Sequence, residues 1–415
     1  MALNLDQIML IRSTAPVLKE HGNDITSHFY SLLFDENPSL KTIFNQTNQN
    51  NNHQAMALAG ALHAYATHID DLGALSTAVE KICQKHASLY IKPEQYDTVG
   101  NHLLRAMGDV LGEALTPDVL EAWTAAYWQL AKLMIAKETQ LMQSAEGWTH
   151  WRKFEITDKV KESEEITSFY LVPLDRKPLP AFLPGQYVSA RADVPRLTYG
   201  QSRQYSLSDA HSPDYYRISV KREMNLTNDR DNASMCPGCI SNVLHGTKSV
   251  GDEIEISHPF GDFFLDPRKE SERPVVLLSA GVGITPMVSI MNALVKQGAN
   301  PRISFIHTAR TTAARAFGSH CHRVAAQFSG ITYKSFITHP AQREVAGQDF
   351  DREGRLSFVA LDKSQDLILD KRDTIYFVCG PDAFMIEVRK SLLGMGVQPE
   401  RVRMEVFGAG TVSPA

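Results

Sequence analysis

Four groups of residues have types and spacings that could carry chemistry. The first is a histidine. In VEKICQKHASLYI, residues 79–91, Val79, Ile82, Cys83, His86 and Leu89 recur at steps of three and four, which predicts an amphipathic helix with His86 on its apolar stripe. An imidazole on a buried stripe needs a polar partner. The segment alone allows a core histidine bonded to some carbonyl, half of a zinc site with Cys83 one turn away, or an axial ligand to a haem. The second group is a carboxylate: Glu138 falls four residues after Met134 and three before Leu141, again on an apolar stripe. An unpaired charge there costs several kcal/mol, so Glu138 either finds a partner inside or snorkels to water beside Lys137. The third is RQYSLS, which reads as a strand with Arg203 and Tyr205 on one face and Ser206 on the other. An arginine fork suits phosphate, and an aromatic side chain stacks on a flat ring system. The fourth is the turn AGVGITPM, where closely spaced glycines after a buried apolar run let backbone N–H groups reach a pyrophosphate at a helix N-terminus. It has GxG without a third glycine, so a plain strand-to-helix turn is the competing reading.

Three kinds of segment must position these groups. Up to about residue 147 the long patterns are helical: SLKTIFN, HQAMALAGALHAYATHI, the His86 segment, and LEAWTAAYWQLAKLMIAKETQLM with Leu120, Trp123, Tyr127, Leu130, Met134 and Leu141 in step. From WTHWRKFEI the period is two, in short strands separated by Pro and Gly, which predicts an antiparallel barrel or sandwich. From about residue 273 apolar strands alternate with helices, expected at 287–296, near 313–328 and at 382–393, the pattern of a doubly wound parallel sheet. The expected division is an all-α domain over 1–147, an antiparallel β domain over 148–268 and an α/β domain over 269–415.

A chain of 415 residues is long enough for such a set of domains, each with its own core. A net charge of −5 offers no electrostatic argument for nucleic acid or anionic membrane. No apolar run approaches the roughly 20 residues that span a bilayer, and MALNLDQIMLIRSTAPVLKE carries Asp6 and Glu20 rather than a basic start and an unbroken apolar core. Five thinly spread cysteines fit a reducing, cytoplasmic setting. The exception is CPGC at 236–239, where Cys236 and Cys239 could form a redox-sensing pair.

RQYS, PGCISN, AGVGITPM, FVCGPDAF and EVFG occur in the order found in the ferredoxin-reductase-like family, and residues from about 151 onward resemble it. The resemblance implies an FAD-binding barrel followed by an NAD(P)-binding domain. It assigns flavin contacts to Tyr187, Arg203, Gln204, Tyr205 and Ser206, and a phosphate loop to Gly238, Ser241 and Asn242. Ala280, Gly281, Val282, Gly283, Ile284 and Thr285, with Cys379, Gly380 and Pro381, fall on the nicotinamide side. Val406, Phe407, Gly408 and Ala409 fall in the C-terminal cover of the flavin. The stretch MNLTNDRDNASMCPG is longer than the family pattern, which affects the placement of Gly238.

A helical domain fused to such a reductase calls for an electron acceptor. HFYSLLFDENPSLKTIFN, then Gln54 and Leu58, then QKHASLYI resemble the globin domain of flavohaemoglobins, so the likeness spans essentially the whole chain. It implies haem b, FAD and NAD(P)H as cofactors and nitric oxide dioxygenase activity: hydride to FAD, electrons to the haem, and NO converted with O2 to nitrate. His86 becomes the proximal ligand and Tyr96 and Glu138 its relay. Tyr30 is implied as the distal hydrogen-bond donor, with Phe44, Gln54 and Leu58 in the distal wall. Lys85 and Glu405 resemble positions that tune the haem and flavin potentials, although plain surface charges explain them equally well. His53, beside Gln54, points about 100° away on a helix and does not share its role. A zinc site at Cys83 lacks a second pair of ligands in the helical half. A monomer is expected, with NO and O2 as small-molecule partners. The alternatives are an O2- or NO-binding globin with a built-in reductase, and a flavin-dependent reductase of external acceptors. The residues are compatible with NADH and with NADPH.

Overall fold

The computed structural model describes residues 3–45, 49, 52–195, 197, 199–223, 239–298 and 302–407. The N-terminal part is helical: α1 (Leu5–Ser13), α2 (Ala15–Glu36), α3 (His53–Thr67), α4 (Ser76–Ser88), α5 (Pro93–Leu111) and α6 (Pro117–Gln143). The ends of these helices are written in the sequence. Asn4 and Gln7 form a capping box at α1, and Thr116 accepts from the Val119 N–H at α6, with Pro117 following. α2 packs on α3 and α5, and α4 packs on α6. Ile25, Phe29, Leu33, Leu103 and Trp123 centre the main core, while Cys83, Tyr96, Ala131 and Met134 form a smaller core under α4. SLKTIFN, expected to be helical, makes only a 3-10 turn at Pro38–Thr42. Pro38 starts it, and the turn packs on α2.

The middle part holds β1 (Arg152–Lys161), β2 (Ile166–Pro173), β3 (Tyr187–Asp193), β4 (Gly200–Ser206), β5 (Tyr216–Lys221), α7 (Cys239–Gly246) and β6 (Glu253–Ile256). Among the described residues the sheet runs β4-β3-β6-β1-β2-β5. Its two edges meet through the antiparallel Leu207–Ile218 bridge, so it closes as a barrel and leaves no exposed edge. Trp148, just beyond α6, stacks on Phe154 and Tyr216 inside the barrel, which ties the helical part to it.

The C-terminal part begins with a short α8 (Pro267–Glu270). β7 (Val275–Ala280), α9 (Ile284–Lys296), β8 (Ile303–Ala309), α10 (Gly318–Gln327), β9 (Ile331–Ile337), β10 (Arg352–Glu353), β11 (Ile375–Cys379), α11 (Asp382–Gly394) and β12 (Val402–Glu405) follow. Every pairing in the order β10-β9-β8-β7-β11-β12 is parallel. β7 through β10 step one way and β11 and β12 the other, so the carboxyl ends of β7 and β11 border the switch point where such sheets bind ligands. α9 starts three residues before the expected Met287, because Ile284, Thr285 and Pro286 are themselves buried in its first turn. α10 starts at Gly318 rather than near 313, because Phe317 takes a left-handed conformation at φ 57°. The barrel docks on α9 through the Asp209 loop: Ser289 donates to the Asp209 carbonyl at 2.8 Å, Asn292 to its carboxylate at 2.8 Å and Lys296 to the His211 carbonyl at 2.6 Å.

The glycines of AGVG serve packing as well as turning. A Cβ on Gly283 would sit 2.2 Å from the Cys379 carbonyl oxygen, and one on Gly380 would sit 2.9 Å from the Ala280 Cβ. The two loops at the switch point therefore touch backbone to backbone. Gly283→Ala is expected to lower stability by about 1–3 kcal/mol, the cost of overpacking. Thermal unfolding checks it; an unchanged melting temperature would show that the loops can separate freely.

Candidate functional site

His86 lies two residues before the end of α4, and α5 and α6 bring its partners. Its Nδ1 is 2.8 Å from Glu138 Oε1 and 3.0 Å from the Tyr96 hydroxyl, and that hydroxyl donates to the same Glu138 oxygen at 2.6 Å. Glu138 is therefore paired inside the protein rather than exposed beside Lys137, which pairs with Glu80 at 2.7 Å. Burial, then the bond to Glu138, pushes the Tyr96 phenol far above its ordinary pKa, so it stays protonated as a donor. Tyr127 supports the group from behind, donating to the Tyr96 carbonyl at 2.6 Å. Glu138 accepts from Nδ1–H, which leaves Nε2 as the basic ring nitrogen. Cys83 faces the Met134 carbonyl at 3.9 Å in the small core, its thiol pushed up to about 12 by burial. It packs; it does not share a site with His86.

The residues expected on the distal side form an aromatic cluster. Tyr30 lies 5.8 Å from Phe34 and 5.7 Å from Phe44, ring centre to ring centre, and Phe34 lies 5.2 Å from Phe44. Leu58 packs against the same core. Burial raises the Tyr30 phenol far above its ordinary range, and a hydrogen bond to Gln54 partly offsets the rise. Gln54 itself accepts from Gln49 at 2.7 Å. His53 is exposed on α3 while Gln54 turns inward.

On the barrel, Tyr187 pairs with Ser206 and Ala190 with Arg203 across β3 and β4. Arg203 donates to the Ser202 carbonyl at 2.7 Å, and burial lowers its guanidinium to about 10. The Tyr187 and Tyr205 phenols are both pushed up by burial. Ser241 accepts from the Glu223 N–H at 3.3 Å, and Asn242 donates to the Glu223 carbonyl at 3.1 Å, at the start of α7. Gly238, Cys236, Gly408 and Ala409 lie outside the described residues, as does the side chain of Cys239. Ala280 through Thr285 and Cys379 through Pro381 line the switch point at the ends of β7 and β11. Val406 packs on the neighbouring core and Phe407 is exposed.

Lys85 and Glu405 are not plain surface charges. Burial, then repulsion from Arg203, lowers the Lys85 ammonium. Glu405 is pushed up to about 8, first by burial, with Asp262 adding to the rise and Lys81 opposing it. Lys81 also reaches from α4 to the Met404 carbonyl at 3.4 Å. Lys81, Asp262 and Tyr127 were not found as site residues by sequence reasoning, because each meets its partner only across the fold; Gln49 was missed although its partner Gln54 is five residues away.

The profile described as Globin matches residues 27–134, and that described as Oxidoreductase NAD-binding domain matches residues 277–390. Flavohemoprotein of Bordetella pertussis is 44% identical over 409 residues, covering 97% of this chain and 98% of the relative. The chain belongs to the flavohaemoprotein family. Flavohemoprotein of Bacillus subtilis is 41% identical, covering 97% of this chain and 96% of the relative. Among solved structures, a flavohaemoglobin from Malassezia yamatoensis, determined with bound FAD and haem, superposes with a TM-score of 0.83 at 26% identity, covering 98% of this chain and 100% of that one. The FAD/NAD-binding domain of nitric oxide dioxygenase from Vibrio cholerae superposes with a TM-score of 0.54 at 36% identity, covering 62% of this chain and 98% of that one. This flavohaemoprotein is thus an oxidoreductase with a globin and a reductase on one chain. None of its described helices is long and apolar enough to cross a membrane.

The Glu405 shift has a pH consequence. The carboxyl ionises near 4.5 ordinarily and near 8 in the fold, so between those values the folded state holds the extra proton and stability falls as pH rises. Glu405→Gln should flatten that fall. Melting temperatures of both proteins from pH 5 to pH 8.5 test it, and identical slopes would contradict it.

Proposed function

We propose that this chain is a nitric oxide dioxygenase that uses haem b, FAD and NAD(P)H, with NO and O2 as its small-molecule partners and a role in NO detoxification. The observation that carries this reading is the His86–Glu138–Tyr96 group, its carboxylate and phenol buried, on a chain that also carries an NAD-binding oxidoreductase domain. The donor set fits haem: both hydrogen bonds of the His86 ring use Nδ1, so Nε2 would be the atom that holds the haem iron. When bound, FAD splits a hydride into single electrons, and haem supplies the dioxygen chemistry that turns NO into nitrate.

The residues then have distinct tasks. Glu138 holds the proton on His86 Nδ1 and draws it toward its own oxygen, which raises the basicity of Nε2. Tyr96 fills a second lone pair of that carboxylate and keeps it aimed. Tyr30, kept protonated by burial, offers an O–H toward a partly negative ligand, and Gln54 orients that hydroxyl. Leu58 and Phe44 exclude water. Arg203 and the backbone at Ser241 and Asn242 suit flavin phosphates, Tyr187 and Tyr205 its rings, with Gln204 and Ser206 on the same strand pair. Ala280–Thr285 and Cys379–Pro381 suit the nicotinamide, and Val406 and Phe407 suit a cover over the flavin. Lys85 and Glu405 set the charge around the two redox centres.

In rapid mixing of the aerobic protein with NO and NAD(P)H, two NO are expected to disappear per nicotinamide oxidised. Persistence of NO over many enzyme equivalents would falsify the assignment and favour an NO- or O2-binding globin, or a reductase of external acceptors. Tyr30→Phe is expected to release O2 at least about tenfold faster and to lose turnover, the scale of one lost hydrogen bond to a charged group. Faster release with turnover intact would remove Tyr30 from the reaction.

A further inference from the structure

One set of hydrogen bonds joins the flavin strand to the haem helix through two serines that neither site uses. The Gln204 side-chain N–H donates to Ser189 Oγ at 3.0 Å, Ser189 Oγ–H donates to Ser88 Oγ at 2.9 Å, and Ser88 Oγ–H donates to the Lys85 carbonyl at 2.8 Å. All three bonds run in one direction, from β4 through β3 into the last turn of α4. Ser88 and Ser189 are fully buried, so neither hydroxyl can exchange its partner for water. The Tyr187 hydroxyl also reaches Ser88. Neighbouring contacts hold the same helix end: Gln84 Oε1 accepts from the Gly261 N–H at 2.9 Å and the Tyr90 hydroxyl from the His258 N–H at 3.0 Å. Those two bonds fix α4 to barrel loops. The serine pair leads on, through Gln204, to the strand that carries Arg203 and Tyr205.

We propose that Ser88 and Ser189 are positioning residues that set the separation and orientation of the flavin-binding strand and the His86 helix, and so control electron delivery between them. The proposal rests on the cofactor reading above. Contacts between domains of one chain are polar and prone to relative motion unless tied, and electron delivery across such a contact depends on a fixed geometry. Removing either hydroxyl leaves the other partners of a buried chain unsatisfied at the domain contact itself.

The test compares full-length, cofactor-loaded wild type with Ser88→Ala, Ser189→Ala and the double variant. Anaerobic stopped-flow is expected to show flavin reduction by NAD(P)H unchanged, ferricyanide reduction unchanged, and flavin-to-haem transfer, trapped with CO, slowed by about tenfold to a hundredfold, the range for a small misplacement. The two single effects should be non-additive, since they break one chain. Hydrogen–deuterium exchange over residues 84–90 should quicken in each variant, a readout independent of turnover. Unchanged transfer together with unchanged exchange in either single variant that folds overturns the proposal, as do strictly additive effects. Should one variant not fold, the other still decides, because each removes the same link from a different domain. A wild type that reduces its haem normally yet leaves NO untouched would count against the dioxygenase reading and leave this one standing.

Discussion

The structure depends on a buried carboxylate that has to be satisfied. Glu138 lies inside the small core between α4, α5 and α6, where a lone charge is far more costly than in water. Tyr96 and His86 satisfy it with bonds of 2.6 and 2.8 Å on one oxygen. That requirement fixes the rotation of three helices about their own axes, since each must aim one side chain at a common point. It also decides which nitrogen of His86 carries the proton. A structural constraint and a chemical preference are thus the same interaction.

α4 is shared between jobs. One face carries His86 toward the helical core, and the end of the same helix meets the barrel through Gln84, Ser88 and Tyr90. Its Lys81 reaches the last strand of the parallel sheet at the Met404 carbonyl. A thirteen-residue helix therefore touches all three parts of the molecule. This arrangement explains the charges around it: Lys85 lies against Arg203, and Glu405 lies near Lys81 and Asp262, all partly withdrawn from water. Withdrawal strengthens the attraction of Lys81 for Glu405 and the repulsions of Lys85 with Arg203 and of Glu405 with Asp262 alike, because the effective dielectric falls.

Much of the fold was legible because its signals are local. Helical and two-residue periods located the three parts, and RQYS, AGVG and FVCGPD fell at strand ends or on strands as their spacing implied. Where local reading went astray, a nearby backbone feature explains it. Pro38 starts a 3-10 turn in SLKTIFN, and the left-handed Phe317 delays α10. The glycines of AGVG read as a phosphate turn or a plain strand-to-helix turn; Gly283 is also required by the Cys379 carbonyl nearly a hundred residues later.

By itself the sequence determined the order and type of elements, the family likeness and the identity of His86 as a residue in need of a partner. Those follow from periodicity and from motifs a few residues long. Tertiary structure decided who the partners are. Glu138 as an internal acceptor, Lys81 near Glu405 and the Ser88–Ser189 contact each join residues far apart in the chain. Burial is what gives these contacts their weight, and burial is a property of the packed chain, not of the residues along it.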